Sequence, residues 1–319
     1  MKRYVVTGGA GFIGSHLCEA LIEQGDQVIC VDNLSSGSSA NVAGLTASGR
    51  FELLVGDTWE VMVDIDEPVS CVAHLASPAS PADYLAHPLE TLAAGSRGTE
   101  AALELAKAHG ARFVLASTSE VYGAPLVHPQ SEDYWGNVNP IGPRSVYDEA
   151  KRFAEALTFA YRRTLGLNTG VVRIFNTYGP RLRPGDGRVV SNFVAQALSG
   201  QPITIFGDGT QTRSLCYVDD MVRALLAMLG SDVRGPINLG NPAEITVTGL
   251  ALLVLRLTGS SSPLVDRPLP QDDPARRRPD INKAKSLLGW APAIGLEEGL
   301  AKTISWFSRE TQVPPMPQR

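Results

Sequence analysis

The sequence lacks the features of a membrane or secreted protein. No apolar run approaches the ~18 residues that a spanning helix requires, and the strand-like segment that follows Met1 at once leaves no room for a signal peptide. Basic residues are also fewer than acidic ones. The sequence has 28 Lys and Arg against 33 Asp and Glu, and its formal net charge is −5. We therefore expect neither nucleic acid nor a membrane surface as a partner.

Cysteine is scarce and unpatterned. Cys18, Cys30, Cys71 and Cys216 are scattered through 319 residues and show neither zinc-ligand nor Cys-x-x-Cys spacing. They are expected to be small core residues of a protein in the reducing cytoplasm, and no metal site is predicted. The apolar fraction of 44% is ordinary for a globular protein, and the length allows one large or two unequal domains.

A glycine-rich turn near the start of the chain lies between a β-branched strand pattern (residues 4–7) and a helical pattern (residues 15–24). Gly8 permits a tight turn, Gly11 lets the backbone approach a pyrophosphate, and Gly14 lets the helix pack against the sheet. The next strand pattern ends at Asp32, which is placed to accept hydrogen bonds from an adenosine ribose and would repel a 2′-phosphate. The stretch predicts an NAD site.

A second chemical signal is the spacing of Tyr147 and Lys151, which would lie one turn apart on the same helix face. The ammonium favours the phenolate, so the tyrosine can take a proton near neutral pH. Such pairs also occur without a role on exposed helices, so this one predicts catalysis only in combination with the dinucleotide site.

Three residues with hydroxyl side chains directly follow the strand predicted at residues 112–116. They are Ser117, Thr118 and Ser119. The carboxyl end of a parallel strand is where ligands bind in doubly wound sheets, although such hydroxyls can also simply cap the next element. His74 ends an earlier strand pattern, and we expect it to be a packed core residue rather than a base.

The Gly-x-x-Gly-x-x-Gly spacing together with Tyr-x-x-x-Lys resembles the short-chain dehydrogenase/reductase superfamily. The resemblance implies an α/β fold, a Rossmann-type doubly wound parallel sheet with a smaller C-terminal α/β substrate-binding domain. It also implies that NAD is the cofactor. The residues expected to bind it are Gly8, Gly11, Phe12, Ile13, Gly14, Asp32, Asn33, Ser35, Ser36, Gly37, Asp57, Thr58, Leu75, Ala76, Ser77, Tyr147, Lys151 and Thr177.

Three longer stretches are similar to one family of the extended branch, the UDP-glucuronate decarboxylases. They are HLASPASP at 74–81 with Tyr84, HPQSEDYWG at 128–136 leading to NPIGPRSVY at 139–147, and RIFNTYGP at 173–180. The resemblance runs from Lys2 to Phe307. It implies a UDP-sugar as substrate.

The resemblance also implies catalytic roles. Tyr147 would remove the proton of the sugar 4-hydroxyl as hydride passes from C4 to NAD, with Lys151 lowering the pKa of the tyrosine. The resulting β-keto acid would lose carbon dioxide, while Thr118 and Tyr147 stabilise the enolate oxygen. Glu120 and Ser119 would support the decarboxylation geometry and the reprotonation of C5, and NAD would be recycled.

The substrate side of the site is implied in the same way. Arg213 would bind the nucleotide diphosphate, because an arginine fork suits phosphate oxygens, and the backbone of residues 203–206 would contact the uracil edge. Arg277 would lie over a phosphate or the carboxylate, although the Arg276–Arg278 run could instead be a solvated surface. The full expected set is Tyr84, Thr118, Tyr147, Asn176, Arg188, Val189, Ile205, Arg213 and Arg277.

Three alternatives stay open. A UDP-hexose 4-epimerase and a nucleotide-sugar 4,6-dehydratase share the cofactor site and the Tyr/Lys pair, but dehydratases carry Asp-Glu where this chain has Ser119-Glu120. A non-catalytic NAD-binding sensor is disfavoured by the intact Thr, Tyr and Lys. Gly95 and Ala101 depart from the superfamily, which usually carries Asn at these positions, and this puts local rigidity or cofactor affinity in question.

The expected organisation is a Rossmann domain over residues 1–170, a nucleotide-sugar-binding domain over 171–312 with the chain crossing between lobes, and a disordered tail over 313–319. The resemblance further implies a homodimer, formed through the helices predicted at 98–109 and 148–164 as a four-helix bundle.

Overall fold

The computed structural model describes residues 1–269 and 276–310. The tail predicted at 313–319 and the acidic residues that precede Arg276 lie outside these ranges. The strands are β1 (Arg3–Thr7), β2 (Gln27–Asp32), β3 (Phe51–Val55), β4 (Cys71–His74), β5 (Arg112–Thr118), β6 (Thr169–Ile174), β7 (Thr177–Tyr178), β8 (Ile203–Phe206), β9 (Thr212–Ser214), β10 (Cys216–Tyr217), β11 (Ile237–Leu239), β12 (Glu244–Thr246) and β13 (Leu264–Arg267). The helices are α1 (Phe12–Glu23), α2 (Thr58–Val61), α3 (Pro81–Ala86), α4 (Pro88–Ala93), α5 (Thr99–Ala108), α6 (Ser145–Leu165), α7 (Val189–Leu198), α8 (Val218–Leu229), α9 (Val247–Thr258), α10 (Asn282–Leu288) and α11 (Leu296–Glu310).

The centre of the fold is a parallel seven-stranded sheet in the order β11-β6-β5-β4-β1-β2-β3. Its strands are rich in buried Val and Ile, as both faces of a parallel sheet are covered. Along β1, Val5 belongs to a core cluster with Leu103 of α5, whereas Val6 belongs to a cluster with Leu17 of α1 and Leu225 of α8. The predicted doubly wound α/β fold is confirmed.

Two helix starts were predicted wrongly. The first helix begins at Phe12 rather than residue 15, because Gly11 is its N-cap and the turn ends there. The helix predicted from residue 148 begins at Ser145. The helix predicted at 98–109 is α5, and the π-helical turn Ala94–Gly98 precedes it without a break.

The second half of the chain forms a smaller region of short strand pairs, β13 with β8 and β12 with β9, packed with α7, α9 and α11. The proposed division at residue 170 falls inside β6, and β11 returns to the main sheet. The division itself stays a prediction.

Candidate active site

A large cavity lies at the carboxyl ends of the parallel strands, with a volume of about 1520 Å³. Its lining runs from Gly8 after β1 and Asp32 of β2, past Thr118 of β5, to Arg213 and Arg277 of the second half. Ligand pockets for one small molecule are roughly 300–1,000 Å³. The cavity therefore has room for a dinucleotide and a second ligand of similar size.

The predicted site residues converge on this cavity with one exception. Every residue predicted to bind cofactor or substrate or to take part in catalysis lines it, except Ile205. The side chain of Ile205 is only 2% exposed and packs in the core, and its strand neighbours Thr204 and Phe206 line the cavity instead. Because side chains alternate along a strand, the Ile205 side chain faces the core. The contact predicted for residues 203–206 was one of their main chain with the uracil edge, and it stays a prediction.

The glycine turn is held by close backbone contacts. Gly8 has φ +68°, and a Cβ on Gly14 would lie 2.1 Å from the Gly8 carbonyl oxygen, so neither position tolerates a side chain. Asp32 ties the turn to the next loop, since its Oδ2 accepts from the Ala10 amide at 3.0 Å and its Oδ1 accepts from the Leu34 amide at 2.8 Å. Burial raises the pKa of this carboxyl, and these amide hydrogen bonds oppose the rise.

Tyr147 and Lys151 lie on the inward face of α6, where their residues are 6% and 4% exposed. Lys151 Nζ donates to the carbonyl oxygen of Ala116 at 2.9 Å, which fixes the helix against β5. Burial lowers the pKa of Lys151 to about 8, and the carboxylate of Glu155 opposes this. Tyr147 and Lys151, which the sequence analysis paired by their spacing, are therefore both buried at the site.

The predicted lowering of the Tyr147 pKa is not seen. Burial raises it to about 12, and the main opposing effects are a hydrogen bond with the Thr118 side chain and the charge of Arg188. Tyr84 of α3 stacks on Tyr147 with ring centroids 5.2 Å apart and planes 3° apart. Tyr84 was predicted as a substrate residue, and in the structure it also fixes the orientation of the Tyr147 ring.

Thr118 caps the next element, which is one of the two roles that the sequence analysis left open, and its contact with a ligand stays a prediction. Its Oγ1 accepts from the Glu120 amide at 3.2 Å, so it caps the single helical turn Ser119–Tyr122. It also hydrogen-bonds the Tyr147 side chain. The capping contact positions the hydroxyl beside the tyrosine.

Glu120 lies between two arginines. Its Oε2 accepts from Arg144 Nη2 at 2.8 Å and from Arg277 Nη2 at 3.1 Å, and Arg277 Nη1 also donates to the carbonyl oxygen of Ser119. Burial alone would raise the pKa of Glu120, but the charges of Arg277 and Arg144 outweigh it and the pKa is lowered. At neutral pH the Glu120 side chain is therefore a carboxylate, and the two arginines that contact it carry the positive charge around it.

Arg277 is 2% exposed, which excludes the solvated-surface interpretation for this residue. The segment that carries it is held by Gln130, whose side-chain oxygen accepts from the Arg278 amide at 2.8 Å and whose main-chain amide donates to the Arg278 carbonyl at 2.9 Å. Arg277 therefore reaches Glu120 from a segment that is distant in sequence and fixed in place.

Sequence reasoning missed Arg144 and Asp148 as parts of this cluster. Their spacing was the available signal, because Arg144 is three residues before Tyr147 and four before Asp148, and residues three or four apart are neighbours on a helix. Asp148 is buried, and its pKa is raised to about 7 by burial and then by the charge of Glu120.

His74 has the structural role that was predicted. Its Nδ1 lies 2.8 Å from Thr7 Oγ1 and its Nε2 lies 3.2 Å from Thr99 Oγ1, so both ring nitrogens have partners in the core. Burial lowers its pKa to about 3, so the ring is neutral. It does not line the cavity.

Gly95 lies where helices cross. A Cβ there would be 2.6 Å from the Cβ of Ala150 and 2.9 Å from its carbonyl oxygen, so the π-helical turn packs directly on α6. An Asn at this position would push α6 away from the turn. The glycine that replaces the usual Asn at position 95 therefore allows close packing against α6, the helix that carries Tyr147.

Among residues 1–269 and 276–310, every helix is too short or too polar to cross a membrane. All four cysteines are free and buried. The sequence analysis expected both the core position of the thiols and the lack of a spanning segment.

Comparison with known proteins places this site in a family. Residues 4–240 match the NAD dependent epimerase/dehydratase family. UDP-glucuronic acid decarboxylase 1 of Danio rerio is 51% identical over 312 residues, covering 98% of this chain and 74% of the relative. UDP-glucuronic acid decarboxylase 6 of Arabidopsis thaliana is 51% identical over 314 residues, covering 98% and 90%.

Solved structures share the whole fold. A UDP-glucose 4-epimerase of Thermotoga maritima with UDP-glucose has a TM-score of 0.89 at 34% identity, covering 97% of this chain and 100% of the other. UDP-glucuronic acid 4-epimerase of Bacillus cereus, in complex with UDP-glucuronic acid and NAD, has a TM-score of 0.88 at 28% identity, with 97% and 99% covered. The chain belongs to the NAD dependent epimerase/dehydratase family and, within it, to the UDP-glucuronic acid decarboxylases.

Proposed function

We propose that this protein converts UDP-glucuronate to UDP-xylose by NAD-dependent decarboxylation. The observation that carries the proposal is the Arg144–Glu120–Arg277 cluster, which lies in one cavity with Tyr147, Thr118 and Lys151. The relatives named as UDP-glucuronic acid decarboxylases support it. A fold alone would not, because this fold serves several reactions.

The described residues fit an NAD molecule. The positive φ of Gly8 and the contact between Gly8 and Gly14 leave backbone, not side chains, at the start of α1, where a pyrophosphate is favoured. Asp32 and Asp57 line the adenosine end, and Lys151 lines the cavity near the Tyr147 ring. When bound, NAD supplies a hydride acceptor for C4 of the sugar and afterwards the donor that returns the hydride.

The chain supplies the proton chemistry at the sugar 4-oxygen. We assign Tyr147, as its phenolate, to take the hydroxyl proton and, as the phenol so formed, to return it later. Burial opposes the phenolate, whereas the hydrogen bond with Thr118 and the charge of Arg188 lower the pKa of Tyr147 and favour it. The Thr118 hydroxyl would hold the same oxygen, stabilising the negative charge that develops there during loss of carbon dioxide. The Tyr84 ring keeps the Tyr147 ring in one plane throughout.

The charged cluster suits the carboxylate end of the sugar. With two guanidinium groups and one carboxylate, Arg144, Glu120 and Arg277 carry one net positive charge, which attracts an anionic sugar. Because the pKa of Glu120 is lowered, it is ionised and does not itself carry the proton that C5 needs after carbon dioxide leaves. We assign it, with Ser119, to holding the reacting group and the water that protonates C5.

The rival epimerase reading retains specific support. Solved structures of similar fold include UDP-glucose and UDP-glucuronic acid 4-epimerases, and the latter also acts on a sugar with a carboxylate. A cationic cluster therefore does not by itself exclude epimerisation. The two reactions differ in the mass of the product.

Mass spectrometry of nucleotide sugars after incubation of the protein with UDP-glucuronate and NAD decides the matter. We expect a product lighter by one carbon dioxide, with no net reduction of NAD, because the hydride returns to the sugar. A product of unchanged mass and new stereochemistry would identify an epimerase. No reaction, with NAD still bound, would favour the sensor.

We also propose that the protein is a cytoplasmic homodimer that pairs through α5 and α6. Phe153, 50% exposed on α6, supports the dimer, and the four free thiols support a reducing compartment. Light scattering should give twice the 34.0 kDa mass of the chain. The monomer mass at micromolar concentration would contradict the dimer.

A further inference from the structure

A buried ion pair lies directly behind the catalytic helix face. Glu155 is one turn after Lys151 on α6 and is buried. Its Oε1 accepts from Ser117 Oγ at 2.6 Å and from Arg173 Nε at 2.9 Å, while its Oε2 accepts from Arg173 Nη2 at 2.8 Å. The two-point contact with one guanidinium fixes the carboxylate in place.

Arg173 is itself held from the far side. Its Nη1 donates to Tyr122 Oη at 3.0 Å and to the Glu132 carbonyl at 3.2 Å, and its guanidinium carbon lies 4.9 Å from the Tyr122 ring centroid. Tyr122 in turn donates to Asn238 Oδ1 at 2.7 Å. The pair therefore joins α6, β5, β6 and β11 beneath the cavity.

The surroundings of the Lys151 side chain disfavour its charged ammonium form. Its burial disfavours the charged form, and it donates a hydrogen bond to a neutral group, the carbonyl of Ala116. Ionisable groups that interact with it include His74 from β4, which is neutral, and Glu155 from its own helix, which also carries Tyr147 one turn before Lys151. Glu155 is the group among these whose negative charge favours the ammonium, and Arg173 offsets part of that charge.

We propose that Glu155 and Arg173 are positioning residues that together set the charge state of Lys151, the carboxylate favouring the ammonium and the guanidinium limiting that effect. Neither residue lines the cavity, so the pair acts through Lys151, which does. The proposal goes beyond the proposed reaction and uses it only for the role of Lys151. Ser117, which bonds Glu155 and directly precedes Thr118, joins the pair to the strand end at the site.

Two variants that remove charges of opposite sign distinguish this role from a structural one. Glu155→Gln should lower the pKa of Lys151 by about one unit, and Arg173→Met should raise it by a similar amount, since a nearby charge shifts a buried group by roughly 1–3 units. A purely structural pair would give both variants the same change, because each breaks the same contact. Arg173→Lys keeps the charge and should stay near the parent value.

The measurement is competitive acetylation of the free protein with acetic anhydride over a pH series, with the Lys151 peptide quantified by mass spectrometry. It needs no substrate, so a failure of the proposed decarboxylase activity would not affect it. Glu149→Gln is the matched control, because it removes a partly exposed carboxylate from the same helix and should leave Lys151 unchanged. The alkaline limb of the kcat/KM profile should move with the labelling pKa.

Shifts in the same direction, or no shift in either variant, would overturn the proposal. If Glu155→Gln does not fold, the comparison of Arg173→Met with Arg173→Lys decides. An upward shift in the methionine variant alone supports the proposal, and equal values in the two contradict it. Circular dichroism of each variant at the labelling pH establishes which variants are folded.

Discussion

Replacing Tyr147 with phenylalanine is expected to abolish turnover of UDP-glucuronate while leaving NAD binding intact. The substitution removes the hydroxyl that takes and returns the proton of the sugar 4-oxygen. It keeps the ring that stacks on Tyr84 at 5.2 Å. Loss of a positioned general base costs about 10²–10⁴-fold. NAD binding should persist because the substitution leaves unchanged the glycine turn and Asp32, which also line the cavity.

The measurement is a pair of assays on one preparation, product formation by mass spectrometry and NAD affinity by calorimetry. Tyr161→Phe is the matched control, since it makes the same substitution on α6 at a side chain that bonds the exposed Glu104. Turnover within tenfold of the parent would remove Tyr147 from the proton chemistry. A parallel loss of NAD binding would instead point to a disturbed α6.

Much of this site was predictable because its signals are local in sequence. The glycine turn, Asp32 and the Tyr147/Lys151 pair each rest on a spacing of a few residues that the backbone geometry of one turn or helix enforces. The position of His74 in the core followed from its strand pattern. These predictions needed no knowledge of how distant segments meet.

What the sequence did not yield depends on contacts between distant segments. Arg277 reaches Glu120 across 157 positions, and nothing near either residue encodes that meeting. The core position of the Ile205 side chain was not predicted, because the phase of a four-residue strand cannot be read from its pattern alone. The raised pKa of Tyr147 reflects burial by surrounding elements, and the main effects that oppose the rise come from Thr118 and Arg188, which are distant in sequence from Tyr147.

Glu120→Gln is expected to separate the two halves of the reaction. The amide keeps the shape of the side chain but removes its charge, so the cluster with Arg144 and Arg277 changes from one net positive charge to two. Oxidation at C4 uses Tyr147 and Thr118 and should continue. Loss of carbon dioxide should slow by about 10²-fold, the low end of what one positioned group contributes, because the group that orients the carboxylate end and its water is altered.

Rapid-mixing experiments would follow the absorbance of the reduced nicotinamide and the release of carbon dioxide together. In the parent both should change in step, whereas in Glu120→Gln the reduced nicotinamide should accumulate before carbon dioxide appears. Glu244→Gln serves as the control, because it removes a carboxylate that lies 3.6 Å from Arg278 Nη1. Arg278 is the neighbour of Arg277 in the sequence. An equal slowing of both steps would assign Glu120 to substrate binding in general, since a residue that acts only after oxidation cannot delay the oxidation itself.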